Sequence, residues 1–294
     1  MKLLNLKNIL AVADQHKFGV GAFNAIDSNF IDAVFHAAQT NRSPIIINVA
    51  EVHLKYIDIF STSEYIKKKA ALSGLPVCLN LDHGLTFPTI EKAIQCGFSS
   101  VMFDGSSLPY EENIAQTRKV VELCRNHGIS VEGELGAVGG DEGGALESAA
   151  DEALYTKGEQ AKEFVDATGI DALAVAIGNT HGKYKGEPKL DFQRLQQIDQ
   201  AISVPLVLHG GSGISAQDFR KTIELGICKI NFFTGMSQAA IQSIEQDVRS
   251  AGLEQRYNYY LIMMEKMQRA ISDTVAEQMS IFGSVNKAEL YGKS

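Results

Sequence analysis

Eight short runs of apolar and β-branched residues, each followed by a longer segment of helical periodicity, set the strongest limit on how this chain can fold. The runs are Gly19–Ala25, Pro44–Val49, Pro76–Leu81, Ser100–Phe103, Ile129–Glu134, Ala172–Ile177, Pro205–His209 and Cys228–Phe232. The helical segments after them are Ser28–Gln39, Ser63–Leu72, Pro88–Cys96, Glu111–Asn126, Glu159–Thr168, Phe192–Ile202, Ala216–Leu225 and Met236–Arg249. Near-continuous apolar strands mark parallel sheet covered on both faces, and strands alternating with helices mark βαβ units. Eight such units fit an open doubly wound sheet or a closed (β/α)8 TIM barrel. The 294 residues suit one barrel, which needs about 250. A further C-terminal helix is expected over Tyr257–Ile281, where Met264, Met267, Ile271, Val275 and Met279 form a stripe to pack on the barrel or a partner subunit. No shift in composition marks a linker, so residues 1–294 read as a single domain.

Acidic residues number 35 and basic residues 27, a net charge of −8. That balance argues against nucleic acid or an anionic membrane as partner. It leaves an anionic small substrate open, because backbone dipoles and metal charge act locally. The first residues carry one short apolar stretch, interrupted by Asn5, Lys7, Asn8 and Asp14. No signal peptide and no run of about 20 apolar residues is present. The four cysteines are far apart with no CxxC pair, which fits reduced thiols in a cytoplasm.

In a closed barrel the chemistry gathers at the C-terminal ends of the strands. The third run ends in Asp82-His83-Gly84, the fourth in Asp104-Gly105 and the fifth in Glu132-Gly133-Glu134. The sixth leads to Gly178-Asn179-Thr180-His181-Gly182, the seventh to His209-Gly210-Gly211-Ser212-Gly213 and the eighth to Asn231-Phe232-Phe233-Thr234. Three of the seven histidines thus fall on one rim, and His16, His36, His53 and His127 are placed elsewhere. Three neutral imidazoles with an open fourth position are a catalytic zinc arrangement. The plainer alternative is a hydrogen-bonded trio of rim histidines with no metal. The glycines after His209 open a helix capped by Ser215 with Asp218 three residues on. Together with Asn231–Thr234 they make a phosphate site of exposed backbone N–H groups. The segment Gly136–Tyr155 is long and rich in glycine and acid, which suits a mobile lid carrying an acid–base carboxylate.

The motifs LDHG at 81–84, GELGxxGG followed by two acids at 133–142, GNxHG at 178–182, LHGGSG at 208–213 and KINxxT at 229–234 resemble the class II fructose- and tagatose-bisphosphate aldolases, in order and in spacing, from about Gly19 to Gly283. The resemblance implies that His83, His181 and His209 hold zinc, with Asp104 and Glu134 near a second or alternate metal position. It implies that Asp82 exchanges the proton of the hydroxyl at the cleaved bond and that Glu142 exchanges the proton on the enolisable carbon. Gly182, Gly210, Gly211, Ser212, Asn231, Phe232, Phe233 and Thr234 match segments that grip the phosphate of dihydroxyacetone phosphate. Asn24 matches a residue near the reacting carbons. A Na+ or K+ ion beside Gly182 and Ser212, and assembly as a homodimer or homotetramer, are further implications.

Two departures bear on the far end of the sugar. Fructose-bisphosphate aldolases usually carry Ser or Thr six residues after the proline that opens the second strand. Here that position is Ala50, followed by Glu51. Many members also have an Asp-Pro-Arg segment before the last helix. Here the sequence reads Arg256-Tyr-Asn-Tyr-Tyr, and Arg256 and Arg269 are the nearby cations. The distal group is therefore read as a phosphate held another way, or as a sulfonate (as in sulfofructose 1-phosphate), a carboxylate or a hydroxyl. A non-catalytic partner-stabilising subunit and a zinc hydrolase on the same barrel are the competing readings.

Overall fold

The computed structural model describes residues 2–138, 147–148, 152–184, 186, 188–250 and 259–292. Eight parallel strands close into a barrel: β1 (Val20–Asn24), β2 (Ile45–Ala50), β3 (Val77–Gly84), β4 (Ser100–Phe103), β5 (Ser130–Leu135), β7 (Ala172–Val175), β9 (Leu206–Leu208) and β10 (Ile227–Phe232). Strand β1 pairs with both β2 and β10, which closes the ring. Two short strands, β6 (Glu147–Ser148) and β8 (Lys183–Tyr184), pair outside it. The helices after the barrel strands are α2 (Ser28–Asn41), α3 (Ile59–Ser73), α4 (Phe87–Gln95), α5 (Tyr110–Arg125), α6 (Gly158–Thr168), α7 (Phe192–Ala201), α8 (Ala216–Glu224) and α9 (Thr234–Ser250). The fold is thus the closed (β/α)8 barrel and not the open sheet.

Successive side chains of a strand point to opposite faces, and here the two faces differ. Outward residues such as Phe23, Ile47, Leu79, Leu81, Val101, Val131 and Leu173 form the apolar layer under the helices. Inward residues grade from apolar at the bottom to polar at the top. Val20 and Ala22 lead to Asn24, Ile46 to Asn48, Cys78 to Asn80 and Asp82, and Val207 to His209. The neighbouring strands keep Asn24, Asn48 and Asn80 in one register. The interior is therefore packed below and polar only toward one rim.

The bottom is sealed by α1 (Leu6–His16), a helix absent from the sequence reading. Its start is capped by the Asn5 side chain, which accepts from the Asn8 N–H at 3.0 Å. Leu6, Ile9, Leu10 and Ala13 fall on one face and pack against Val20, Ile46, Cys78, Met102 and Cys228 inside the barrel. The polar residues that broke up this stretch in sequence lie on the other face, so the interruption was amphipathic periodicity. The last helix, α10 (Tyr259–Ile281), buries Ile271, Val275 and Met279 against the barrel, with α2 and α9 as neighbours. Among the described residues no helix is long and apolar enough to cross a membrane.

Leu10 is fully buried at the centre of the plug. Replacing it by Ala is expected to cost about 2–5 kcal/mol, the range for a buried Leu that leaves a cavity. Chemical unfolding checks this, and a loss below about 0.5 kcal/mol would mean that α1 is not part of the cooperative core.

Candidate active site

Grading the interior brings His83, His181 and His209 together at the top. Their ring centroids lie 4.6 to 5.8 Å apart, and one nitrogen of each lies within 4.8 Å of the others. The outer nitrogens are held by carboxylates. His83 Nδ1 is 2.8 Å from Asp104 Oδ2, and His209 Nε2 is 2.9 Å from Glu132 Oε1. That leaves His83 Nε2 and His209 Nδ1 facing each other at 2.9 Å. A carboxylate behind His83 and another behind His209 fix ring and tautomer so that the inner nitrogen presents its lone pair, as in many metal sites. Burial, and next the charge of His83, push His181 down to about 3. His209 is held well below the ordinary histidine range by burial, His83 and Lys229. Neutral imidazoles at neutral pH are the protonation state a metal requires.

The histidine geometry comes from the strand ends. His83 has a left-handed backbone, φ 42°, a strained conformation for a non-glycine residue. Asn179 orders the next strand end, accepting from the Ile177 N–H at 2.8 Å and donating to the His209 carbonyl at 3.1 Å. Gly210 has φ 64°, and a Cβ there would stand 2.1 Å from the Thr180 carbonyl oxygen, so only glycine lets the two loops meet.

Asp104 and Glu134 lie on the Nδ1 side of His83, at 2.8 and 3.9 Å, and with it form a second grouping able to hold a metal. Burial opposes the charge on Asp104, but hydrogen bonds from His83 and Ser106 outweigh it and keep its carboxyl below the usual range. Burial, with Asp104 next, drives Glu134 well above that range, and its Oε2 has no hydrogen-bond partner among the described residues. A buried carboxyl left half-paired beside an imidazole is what an ion position predicts.

Asp82 sits among the histidines, fully buried. Asn24 Nδ2 donates to its Oδ2 at 3.0 Å and Asn231 Nδ2 to its Oδ1 at 2.9 Å. Burial works against its charge, and the positive groups about it, His83 and then Lys229, outweigh burial and keep its carboxyl below the usual range. Asn24, Gly182, Gly210, Gly211, Ser212, Asn231, Phe233 and Thr234 line one pocket beside His181. Phe232 lines the adjoining cleft of about 420 Å³, together with Ser212 and Thr234. The Gly235 N–H donates to Ser212 Oγ at 3.1 Å, drawing the start of α9 against the glycine loop. A helix N-terminus and glycine backbone on one pocket are a ready anion site. Ser215 caps α8 as expected, accepting from the Asp218 N–H at 3.1 Å.

Three features were missed in sequence. Glu132 and Lys229 are fully buried beneath the site and paired at 2.6 Å. Each stands two residues before a rim residue, Glu134 and Asn231, so the strand period pointed inward. Glu51 accepts from the Leu85 and Thr86 N–H groups at 2.6 and 3.3 Å and from the hydroxyls of Thr86 and Thr89 at 2.9 and 2.8 Å. It clamps the turn after β2 to the loop after β3. His53 does not fall elsewhere, as its position in sequence suggested. It is buried at the same rim, with its ring 5.0 Å from that of Phe233. Glu142 and Arg256 lie outside the described residues. Arg269 lines an outer groove with Asp32, His36 and Lys69, away from the residues that line the rim pocket.

A profile described as "Fructose-bisphosphate aldolase class-II" matches residues 4–287. The chain belongs to the class II fructose-bisphosphate aldolases. Among its relatives, "Probable fructose-bisphosphate aldolase" of Bacillus subtilis (strain 168) is 39% identical over 291 residues, covering 98% of this chain and all of the relative. "Fructose-bisphosphate aldolase" of Staphylococcus aureus (strain Mu50) is 38% identical over 294 residues, with 98% and 100% covered. The solved YdjI aldolase of Escherichia coli K12 superposes with a TM-score of 0.85 at 32% identity, covering 97% of this chain and 99% of its own. A class II aldolase is a lyase, and membership sets the hydrolase reading aside.

Metal-free aldolase should be acid-sensitive in a specific way. The unfolded chain binds a proton at His181 from its ordinary value of 6.5 downward, while the folded chain refuses it to about 3. Stability is therefore lost as pH falls below 6.5, by about 1.4 kcal/mol per unit for this residue. His181→Asn should remove that share, about 2 kcal/mol by pH 5. Urea unfolding in chelator at pH 7, 6 and 5 checks it, and identical slopes for both proteins would contradict it.

Proposed function

We propose that this aldolase reversibly cleaves a ketose 1-phosphate or 1,6-bisphosphate into dihydroxyacetone phosphate and an aldehyde, using zinc held by His83, His181 and His209. The observation that carries the reading is that His83, His181 and His209 each bring a ring nitrogen to one point, next to a carboxylate, Asp82, that two amides hold in place. Bound zinc supplies Lewis-acid stabilisation of the negative charge that develops on the ketone during cleavage. Asp82 takes the proton of the hydroxyl at the breaking bond and returns it in synthesis. Its charged state and its two amide partners suit that task. Glu142 is proposed to exchange the proton on the enolisable carbon. Gly182, the Gly210–Ser212 backbone and the Asn231–Thr234 segment at the start of α9 are proposed to grip the phosphate. Asp104 and Glu134 offer an alternate position for the ion.

A Na+ or K+ ion beside Gly182 and Ser212, a cytoplasmic location and a homodimer or homotetramer complete the reading. A distal end without phosphate is favoured by one local observation. Ala50 is buried and offers no donor, and the adjacent Glu51 carboxylate is occupied by four hydrogen bonds. A value of kcat/KM of about 10⁴ M⁻¹s⁻¹ or more for fructose or tagatose 1,6-bisphosphate, the ordinary enzyme range, would rule that distal reading out.

The half-reaction needs no knowledge of the aldehyde. Zinc-loaded enzyme in deuterated water should exchange the C3 hydrogen of dihydroxyacetone phosphate, followed by NMR, and chelator should stop it. Glu142→Ala should slow exchange about 10²- to 10⁴-fold, the usual worth of a general base. Asp82→Ala should keep exchange and lose condensation. Exchange that is insensitive to chelator would sink the zinc assignment.

A further inference from the structure

His53 is used by nothing in the reaction above, yet it is built into the rim. It closes the 3-10 turn Glu51–His53 that follows β2. Glu51 ties that turn to Leu85, Thr86 and Thr89, beside the strand end that carries Asp82 and His83. The His53 carbonyl accepts from the Tyr56 and Ile57 N–H groups at 2.9 and 3.3 Å, so its backbone is fixed as well. His53 as a whole is 8% exposed. The ring leans on Phe233, which lines the pocket of Asn24, Ser212 and Asn231. Its Nδ1 is buried and has no hydrogen-bond partner among the described residues. A clamped imidazole with an orphaned nitrogen loses stability unless something arrives to pair with it. Asp82, which pairs in register with Ala50 at the end of β2, is close enough to act on it electrostatically. Burial keeps the ring below its usual pKa and so neutral, with one donor and one acceptor nitrogen.

Its location in the ring of strands says what arrives. The proposed phosphate end lies on the loops after β9 and β10, and Asp82 on β3 serves the oxygen at the breaking bond. Strand β2 adjoins β3 on the side away from β4, so a sugar whose first three carbons fill the phosphate pocket brings its remaining carbons past the turn after β2. We propose that His53 binds the aldehyde half of the substrate, hydrogen-bonding a hydroxyl on the carbon next to the one that Asp82 serves. This rests on the aldolase reading and adds a residue that selects hydroxylated aldehydes.

The test uses zinc-loaded wild type, His53→Ala and His53→Asn, with two named aldehydes. Glycolaldehyde has the hydroxyl on the neighbouring carbon and acetaldehyde lacks it. Wild type should favour glycolaldehyde in kcat/KM by about tenfold, the worth of one hydrogen bond. His53→Ala should bring that ratio close to one, and His53→Asn, with its amide, should retain part of it. Deuterium exchange into dihydroxyacetone phosphate alone, which involves no aldehyde, should fall by less than glycolaldehyde condensation in both variants, whereas a role in packing alone would lower exchange and both condensations alike. A wild-type ratio near one, a ratio unchanged by His53→Ala, or exchange and both condensations falling together in both variants overturns the proposal. Absence of chelator-sensitive exchange in wild type is a separate result, which overturns the aldolase reading and this one with it.

Discussion

Closing eight parallel strands into a ring forces their inward side chains against one another, and every feature of the site depends on how this chain grades them. At the bottom the inward set is small and apolar, and α1 covers it. One or two residues further along each strand the set becomes Asn24, Asn48, Asn80, Asp82, Glu132, His209, Lys229 and Asn231, all buried. Buried polar groups are costly unless they are paired, and these side chains pair chiefly with one another, so the upper half of the barrel is a network. That network holds the imidazoles in place before any ion or substrate arrives.

The Glu132–Lys229 pair shows what this costs. Both groups are fully buried and 2.6 Å apart, and taking two charges out of water is expensive unless each is well paired. Glu132 has a second partner in His209 Nε2, so the ion pair also sets which nitrogen of His209 faces inward. Asp104 does the same for His83 from the opposite side. A hydrophobic pair could fill the same space without that charge, but it would leave the His209 ring free to turn.

The alternation of strands and helices was legible in sequence because apolar period is a long-range signal, and the strand-end histidines were legible because each is followed by a glycine-containing turn. The α1 plug was not, since eleven residues with one apolar stripe look like a broken hydrophobic run until something is known to cover them. Glu132 and Lys229 stood in the sequence reading only as part of a strand end and of a motif, with no role of their own, although their spacing to Glu134 and Asn231 placed them inside. His53 lies three residues beyond a strand in a turn with no motif. Only the clamp by Glu51 and the position of Phe233 bring it to the rim, and both are tertiary facts. Glu51 drew attention only as a departure at a position where a small hydroxyl residue is usual, and its role as a clamp needed the neighbouring loop.

The account stands on one ion held by three imidazoles. Equilibrium dialysis of the metal-stripped protein against zinc, with the ion counted by elemental mass spectrometry, tests that most directly. The account predicts close to one tightly held zinc per chain, lost when His83 and His209 are both replaced by Asn in a protein that still folds. A folded wild-type chain that retains no zinc, or a double variant that retains as much as wild type, would contradict it.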